Sequence, residues 1–319
     1  MKFYLAPMEA VTGYIFRNAY HQCFTDFDKY VTPFIMPNQH HCFNTREYND
    51  VLPEHNQGMF TVPQIMTKEA GDFIRTAREL KTMGYEEVNL NLGCPSRTVV
   101  SKGRGAGFLA DTDVLKKFLD EIFDKLDMKI SIKTRIGMTE PEEFEDILAL
   151  YNQYPLEELI IHPRLQSDYY RNHPNLEVFE EALLKCRCPV CYNGDIFTEK
   201  DYHRFTSRFP DVEAVMLGRG ILMNPCLVTV LAGDGKADKA DVKKFHDLLL
   251  EGYREVMQGD KNVLFKMKEL WSYMADNFED SKKLAKKIKK AEKLTVYQSV
   301  AEELFGTLKL RKWEKEGLV

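Results

Sequence analysis

Seven of eight short apolar runs in this sequence end in residues that can do chemistry. The first ends Ala6-Pro7-Met8-Glu9 and the third Pro63-Gln64-Ile65-Met66. The fourth ends Asn89-Leu90-Asn91-Leu92-Gly93-Cys94-Pro95 and the fifth Lys133-Thr134-Arg135. The sixth ends His162-Pro163-Arg164, the seventh Asn193-Gly194-Asp195 and the eighth Gly218-Arg219-Gly220. The glycine turns of the last two offer free backbone N–H groups, a common way to hold a phosphate, and Arg219 adds a permanent positive charge. Lys133 closes a run that otherwise reads Ile-Ser-Ile. A cation there suits the N1/O2 edge of a reduced flavin; its plainer roles are capping a carbonyl or pairing with Glu9. Gln64 could bond a uracil-like ring edge or be a satisfied buried amide.

Cys94 stands apart from the other cysteines. It ends a run, and Lys102-Gly103-Arg104-Gly105-Ala106-Gly107 follows, a segment expected to be a mobile loop that closes over a substrate. A thiol there can be an acid or a nucleophile. Cys23, Cys42 and Cys226 read as small buried hydrophobes. Cys186, Cys188 and Cys191 lack a fourth ligand at metal-site spacing, and Cys191 falls inside a run, so no metal is expected. His40-His41 reads as a polar loop.

The runs that carry these residues are Phe3–Met8, Tyr30–Met36, Phe60–Met66, Glu87–Leu92, Lys129–Thr134, Glu158–His162, Pro189–Asn193 and Glu213–Gly218. Most show no alternation, as strands buried on both faces do not. Segments of helical period lie between them, among them Lys68–Met83, Asp111–Leu126 and Pro141–Tyr151, the last opening on a capped, acidic Thr139-Glu-Pro-Glu-Glu turn. Eight strands with intervening helices predict an α/β fold, a (β/α)8 TIM barrel, over a doubly wound sheet of fewer strands. The barrel's last helix is expected to end near Leu231, before the Gly233-Asp-Gly-Lys linker. Beyond it only helices are expected, at Lys239–Met257, Val263–Asn277, Ser281–Leu294 and Thr295–Phe305, with a short tail after Leu310. The domains are therefore 1–232, a catalytic barrel, and 239–319, a small helical bundle.

Composition sets outer limits. The 319 residues are 44% hydrophobic and 29% charged, an ordinary globular balance. No apolar run approaches the ~18 residues of a membrane helix, and the N-terminus does not read as a signal peptide. Seven cysteines without disulfide spacing read as reduced thiols of a cytoplasmic protein. Net charge is -5, but Asp241 onward carries 17 basic and 14 acidic residues against 27 and 35 before it. A polyanion partner would be held locally, in the C-terminal part.

Taken together, Ala6-Pro7-Met8, Asn89 to Ser96, Lys133-Thr134-Arg135-Ile136-Gly137, His162 with Arg164, Asn193-Gly194-Asp195-Ile196 and Gly218-Arg219-Gly220 resemble the tRNA-dihydrouridine synthases. The resemblance covers Lys2 to about Leu222 and extends to the appended helices. It implies FMN held by Pro7, Met8, Gln64, Lys133, His162, Asn193, Gly194, Asp195, Gly218 and Arg219, with Asn91 and Arg164 at the substrate. It also implies two half-reactions: NADPH (or NADH) reduces FMN, then hydride passes from flavin N5 to C6 of a tRNA uridine while Cys94 protonates C5. The base must leave its stack to react. Pro163 stands where the family often has glycine, which bears on how Arg164 is aimed. No membrane or obligate protein partner is expected. The alternatives are an FMN-barrel oxidoreductase of a free pyrimidine or enone, similar to dihydroorotate dehydrogenase; a phosphate-binding aldolase or epimerase; and a non-catalytic RNA-binding factor, which would not need Cys94 or Lys133.

Overall fold

A computed structural model describes residues 1–235 and 238–313. Nine strands form one sheet: β1 Lys2–Leu5, β2 Lys29–Val31, β3 Thr61–Val62, β4 Gln64–Ile65, β5 Glu87–Leu92, β6 Lys129–Arg135, β7 Leu159–His162, β8 Val190–Tyr192 and β9 Ala214–Leu217. Their order is β3-β2-β1-β9-β8-β7-β6-β5-β4. Seven of the eight neighbouring pairs have a resolved register, and all seven are parallel. β3 and β4 are one strand broken at Pro63. Its first half pairs with β2 through Tyr30↔Thr61, and its second half with β5 through Gln64↔Asn89. The Pro63 carbonyl accepts the Asn89 N–H at 2.9 Å, so this strand touches both neighbours and brings the sheet round into a barrel. Eight barrel strands result, the TIM-barrel class expected.

Prolines set strand limits that the apolar runs did not reveal. A proline cannot donate to a ladder. β1 stops at Leu5, ahead of Pro7, and β2 at Val31, ahead of Pro33, each short of its run. The helix expected from Pro141 starts at Glu143 instead. Thr139 does not cap it; the Glu143 carboxylate reaches back to accept the N–H groups of Met138, Thr139 and Glu140 at 2.7–2.9 Å. Helix Ala70–Thr82 buries Phe73, Ile74, Ala77 and Leu80, the spacing of a helix face laid on a sheet.

The chain divides into two compact units that interleave in sequence. One comprises Met1–Ala10, Asp28–Asp195 and Asp211–Met216; the other Val11–Phe27, Ile196–Pro210 and the chain from Leu217. In the second unit, helix Tyr14–Cys23 lies against helix Lys239–Val256. Phe245 meets the rings of Phe16 and Phe24 at 5.3 and 5.4 Å, and a Cβ on Gly252 would come within 2.8 Å of Ile15. Trp271, Phe278, Phe305, Tyr297 and His246 form a second aromatic core, tied by the Trp271 Nε1–H donating to the Tyr297 hydroxyl at 2.7 Å. Helix Lys282–Lys290 buries Leu284 and Ile288 and exposes its lysines; it ends sooner than the periodicity suggests. One antiparallel bridge, Phe278↔Leu310, returns where only helices were expected. Of the linker, Gly233 closes helix Leu227–Ala232 in the left-handed conformation, while Lys236 and the tail from residue 314 lie outside the described residues. No helix among the described residues is long and apolar enough to cross a membrane.

Candidate functional site

β5 carries Glu87, Asn89 and Asn91 on alternate positions, hence on one face, and Cys94 follows its end. Asn91 stands opposite Lys133 across the β5–β6 ladder. The Asn91 Oδ1 accepts the backbone N–H of Gly93 at 3.1 Å and of Cys94 at 3.0 Å, so this side chain shapes the turn that presents the thiol. Its Nδ2 donates to Gln64 Oε1 at 2.7 Å.

Cys94 packs against Phe34, Met66 and Val99. Burial pushes its thiol above the ordinary range; the Ser96 backbone and the charge of Arg135 offset this only in part. Burial thus disfavours the thiolate here, an environment that suits an acid better than a thiolate nucleophile. Of the glycine segment after it, 102–104 form an exposed to half-buried turn, while the part from Gly105 is packed against the Cys94 turn. Gly105–Ala110 is a 3-10 helix that buries Gly105, Ala106, Phe108 and Leu109, and Ala106 N–H donates to the Cys94 carbonyl at 3.0 Å. Gly105 has φ +56, and a Cβ there would fall 2.8 Å from the Cys94 carbonyl oxygen and 2.9 Å from the Cys94 Cβ. Only glycine fits that approach.

The Lys133 side chain forms no hydrogen bond or ion pair among the described residues; Glu9 pairs with Arg46 instead. Burial, and then the like charge of Arg135, push the ammonium down to about 8. A half-buried cation without a counter-charge fits an anionic ligand, the test a bound phosphate or reduced flavin must pass here. Gln64, fully buried, also donates its Nε2–H to Asn89 Oδ1 at 2.8 Å, so both ends of its amide are engaged inside the barrel.

At the end of β7, Arg164 is 2% exposed and commits its guanidinium within the protein. It pairs with both carboxylate oxygens of Asp195, donates to the Asn172 carbonyl and lies 3.2 Å from His162 Nε2. Two residues implied for cofactor and substrate thus hold each other. Pro163 centres a three-residue turn closed by the Arg164 N–H on the His162 carbonyl at 2.7 Å, a turn whose central φ proline satisfies. The guanidinium itself is aimed by its bonds to Asn172 and Asp195. Asn193 donates its Nδ2–H to the Met216 carbonyl at 2.9 Å. Pro7 and Met8 follow β1 half-buried, and Gly194 follows β8. In the second unit, Gly218 and Arg219 follow β9, with the Arg219 guanidinium over the Phe197 ring at 5.2 Å.

Two further residues shape the site: Arg135, which lies within a strand-end motif, and Tyr170, which lies in none. Arg135, fully buried, donates to the carbonyls of Gly93, Leu165 and Tyr169 at 3.0, 2.6 and 2.6 Å, tying the β5 and β7 turns together. Tyr170, 52% exposed, sits under that guanidinium at 5.4 Å and beside His162 at 6.1 Å. Its only sequence signal is an aromatic pair within a polar loop. Cys186 and Cys188 bring their sulfurs to 3.5 Å, but among the described residues no three metal-ligating groups converge.

Polar side chains gathered at the C-terminal ends of parallel barrel strands define a (β/α)8-barrel enzyme. Solved structures share that fold: morphinone reductase in complex with tetrahydroNAD aligns over 76% of this chain and 90% of its own, at TM-score 0.52 and 13% identity. A variant of NCR from Zymomonas mobilis aligns over the same shares at TM-score 0.52 and 12% identity. Sequence comparison is narrower. The dihydrouridine synthase family model matches residues 4–308. A probable tRNA-dihydrouridine synthase of Staphylococcus aureus is 29% identical over 235 residues, 70% of this chain and 69% of its own. The tRNA-dihydrouridine(16) synthase of Shigella flexneri is 25% identical over 301 residues, 89% and 92% of the two chains. The chain belongs to the dihydrouridine synthase family, and is by that membership a flavin-dependent oxidoreductase.

Proposed function

We propose that this protein reduces specific uridines of tRNA to 5,6-dihydrouridine, with FMN as cofactor and NADPH or NADH as reductant. The observation that carries the reading is the placing of Lys133, whose half-buried ammonium has no counter-charge, beside the Cys94 thiol at the ends of adjacent strands, in a chain of this family. Pro7, Met8, Gln64, Lys133, His162, Asn193, Gly194, Asp195, Gly218 and Arg219 would hold FMN, with Lys133 and Arg219 supplying positive charge. The bound, reduced cofactor supplies hydride to uracil C6.

The protein's own part is binding and proton delivery. Hydride at C6 leaves an enolate on the substrate, and Cys94 Sγ gives its proton to C5. Asn91 holds the Cys94 turn while flanking the base. Arg164, locked to Asp195, orders the turn after His162 beside the substrate. We assign 1–232 to catalysis and 239–319 to tRNA contact, where exposed Lys282, Lys283, Lys286, Lys287, Lys289, Lys290 and Lys293 line one helix and its end. This work on tRNA belongs in the cytoplasm.

The test is direct. Purified protein should be yellow and release FMN on denaturation, and with NADPH it should form dihydrouridine in tRNA taken from a strain lacking this gene. A protein that takes up no flavin, or that leaves such tRNA unmodified, would sink the reading.

A further inference from the structure

A continuous hydrogen-bonded chain runs through the barrel interior to Cys94. It starts at Lys29, whose ammonium donates to Glu87 at 3.1 and 3.2 Å and to Glu158 at 3.1 Å; Tyr4 donates its hydroxyl to Glu158 at 2.8 Å. Ser131 donates to Glu87 Oε1 at 2.6 Å and accepts from Asn89 Nδ2 at 2.9 Å. From Asn89 the chain continues through Gln64 and Asn91 to the backbone N–H groups of Gly93 and Cys94.

Elementary donor and acceptor chemistry gives this chain one direction. An ionised carboxylate only accepts. Glu87 therefore takes the single proton of Ser131, leaving the serine oxygen to accept. Asn89 must then turn its NH2 to Ser131 and its oxygen to Gln64. Gln64 in turn shows its NH2 to Asn89 and its oxygen to Asn91. Asn91 is left with its oxygen toward the two backbone N–H groups that shape the Cys94 turn. Reversing any one amide sets donor against donor or acceptor against acceptor, where no water competes. Glu87, Asn89 and Ser131 are 5% exposed or less.

We infer that Glu87, Ser131 and Asn89 are positioning residues: the buried carboxylate fixes the orientation of Gln64 and Asn91 and thereby the placement of the Cys94 turn. The consequence for catalysis rests on the function proposed above; the placement does not.

Alkylation of Cys94 by iodoacetamide, followed by peptide mass spectrometry in the intact, purified protein, reads the turn without tRNA or reductant. Glu87→Gln gives Ser131 a possible donor in place of an obligate acceptor, and Ser131→Ala cuts the chain outright. Both should speed Cys94 alkylation at pH 8 about fivefold, the change in opening that one lost buried hydrogen bond allows. Ser131→Thr, which keeps the hydroxyl, should stay within about twofold of wild type. Cys226, buried in the second unit, reports general loosening and should not change. Equal Cys94 rates in wild type and Ser131→Ala overturn the inference, as does a matching rise at Cys226. If Glu87→Gln does not fold, the two serine variants decide. Faster alkylation with unchanged turnover of tRNA uridine would uphold the positioning and refute the proton-donor role instead.

Discussion

Replacing Lys133 with methionine should stabilise the protein while removing its grip on the cofactor. A lysine that titrates at about 8 rather than 10.5 carries a charge that the fold disfavours. At ~1.4 kcal/mol per tenfold change, the cost at neutral pH is up to about 3 kcal/mol, and partial solvent contact trims it to about 1–2 kcal/mol. The unfolded chain binds this proton more tightly than the folded one. Wild-type stability therefore rises, through this residue, as pH climbs from below 8 toward 10.5. Flavin-free Lys133→Met should exceed flavin-free wild type by that amount in urea unfolding at pH 7, and the gap should close by pH 10.5. Groups that do not interact with Lys133 cancel in the comparison; Arg135, Cys94 and Cys191, which feel its charge, do not. The same variant should lose most of its flavin on dialysis. A methionine variant no more stable than wild type at pH 7, or a gap that ignores pH, would refute the assignment of Lys133 as a cation kept waiting for an anion.

Three further outcomes follow from named contacts. Arg219→Ala should weaken FMN binding by about 1.5–3 kcal/mol, the scale of a charge-assisted hydrogen bond, as read by flavin occupancy after dialysis. Gly105→Ala places a methyl against the Cys94 carbonyl at positive φ, so it should cost about 1–3 kcal/mol in urea unfolding and slow tRNA-dependent turnover. Changing Lys283, Lys286 and Lys290 to glutamine should weaken tRNA binding and flatten log affinity against log salt by about two to three; an unchanged slope would leave that helix face merely solvated.

The strands were legible because buried parallel strands are written as apolar runs, and Glu87–Leu92 matches its run residue for residue. Their limits were less so. Pro7, Pro33 and Pro63 end or split ladders inside runs that hydrophobicity alone extends. The strand-end residues could be named from spacing, but their partners could not. Nothing local says that Arg164 closes on Asp195, 31 positions away, or that Arg135 gathers three carbonyls. Gly105 after Cys94 looked like freedom and is instead close packing, a distinction that only a neighbouring backbone decides. The interior polar chain did leave a trace: polar residues at 87, 89 and 91 interrupt an apolar strand at period two, and a buried strand tolerates that only when each finds a partner.

The central claim is that Cys94 delivers the proton to C5, and stopped-flow absorbance of Cys94→Ala at the oxidised flavin band tests it most directly. Reduction by NADPH does not involve the thiol and should proceed at the wild-type rate. Reoxidation by tRNA should slow by about a hundredfold or more, the range of a lost general acid. Reoxidation at the wild-type rate would contradict the account and leave Cys94 a structural residue.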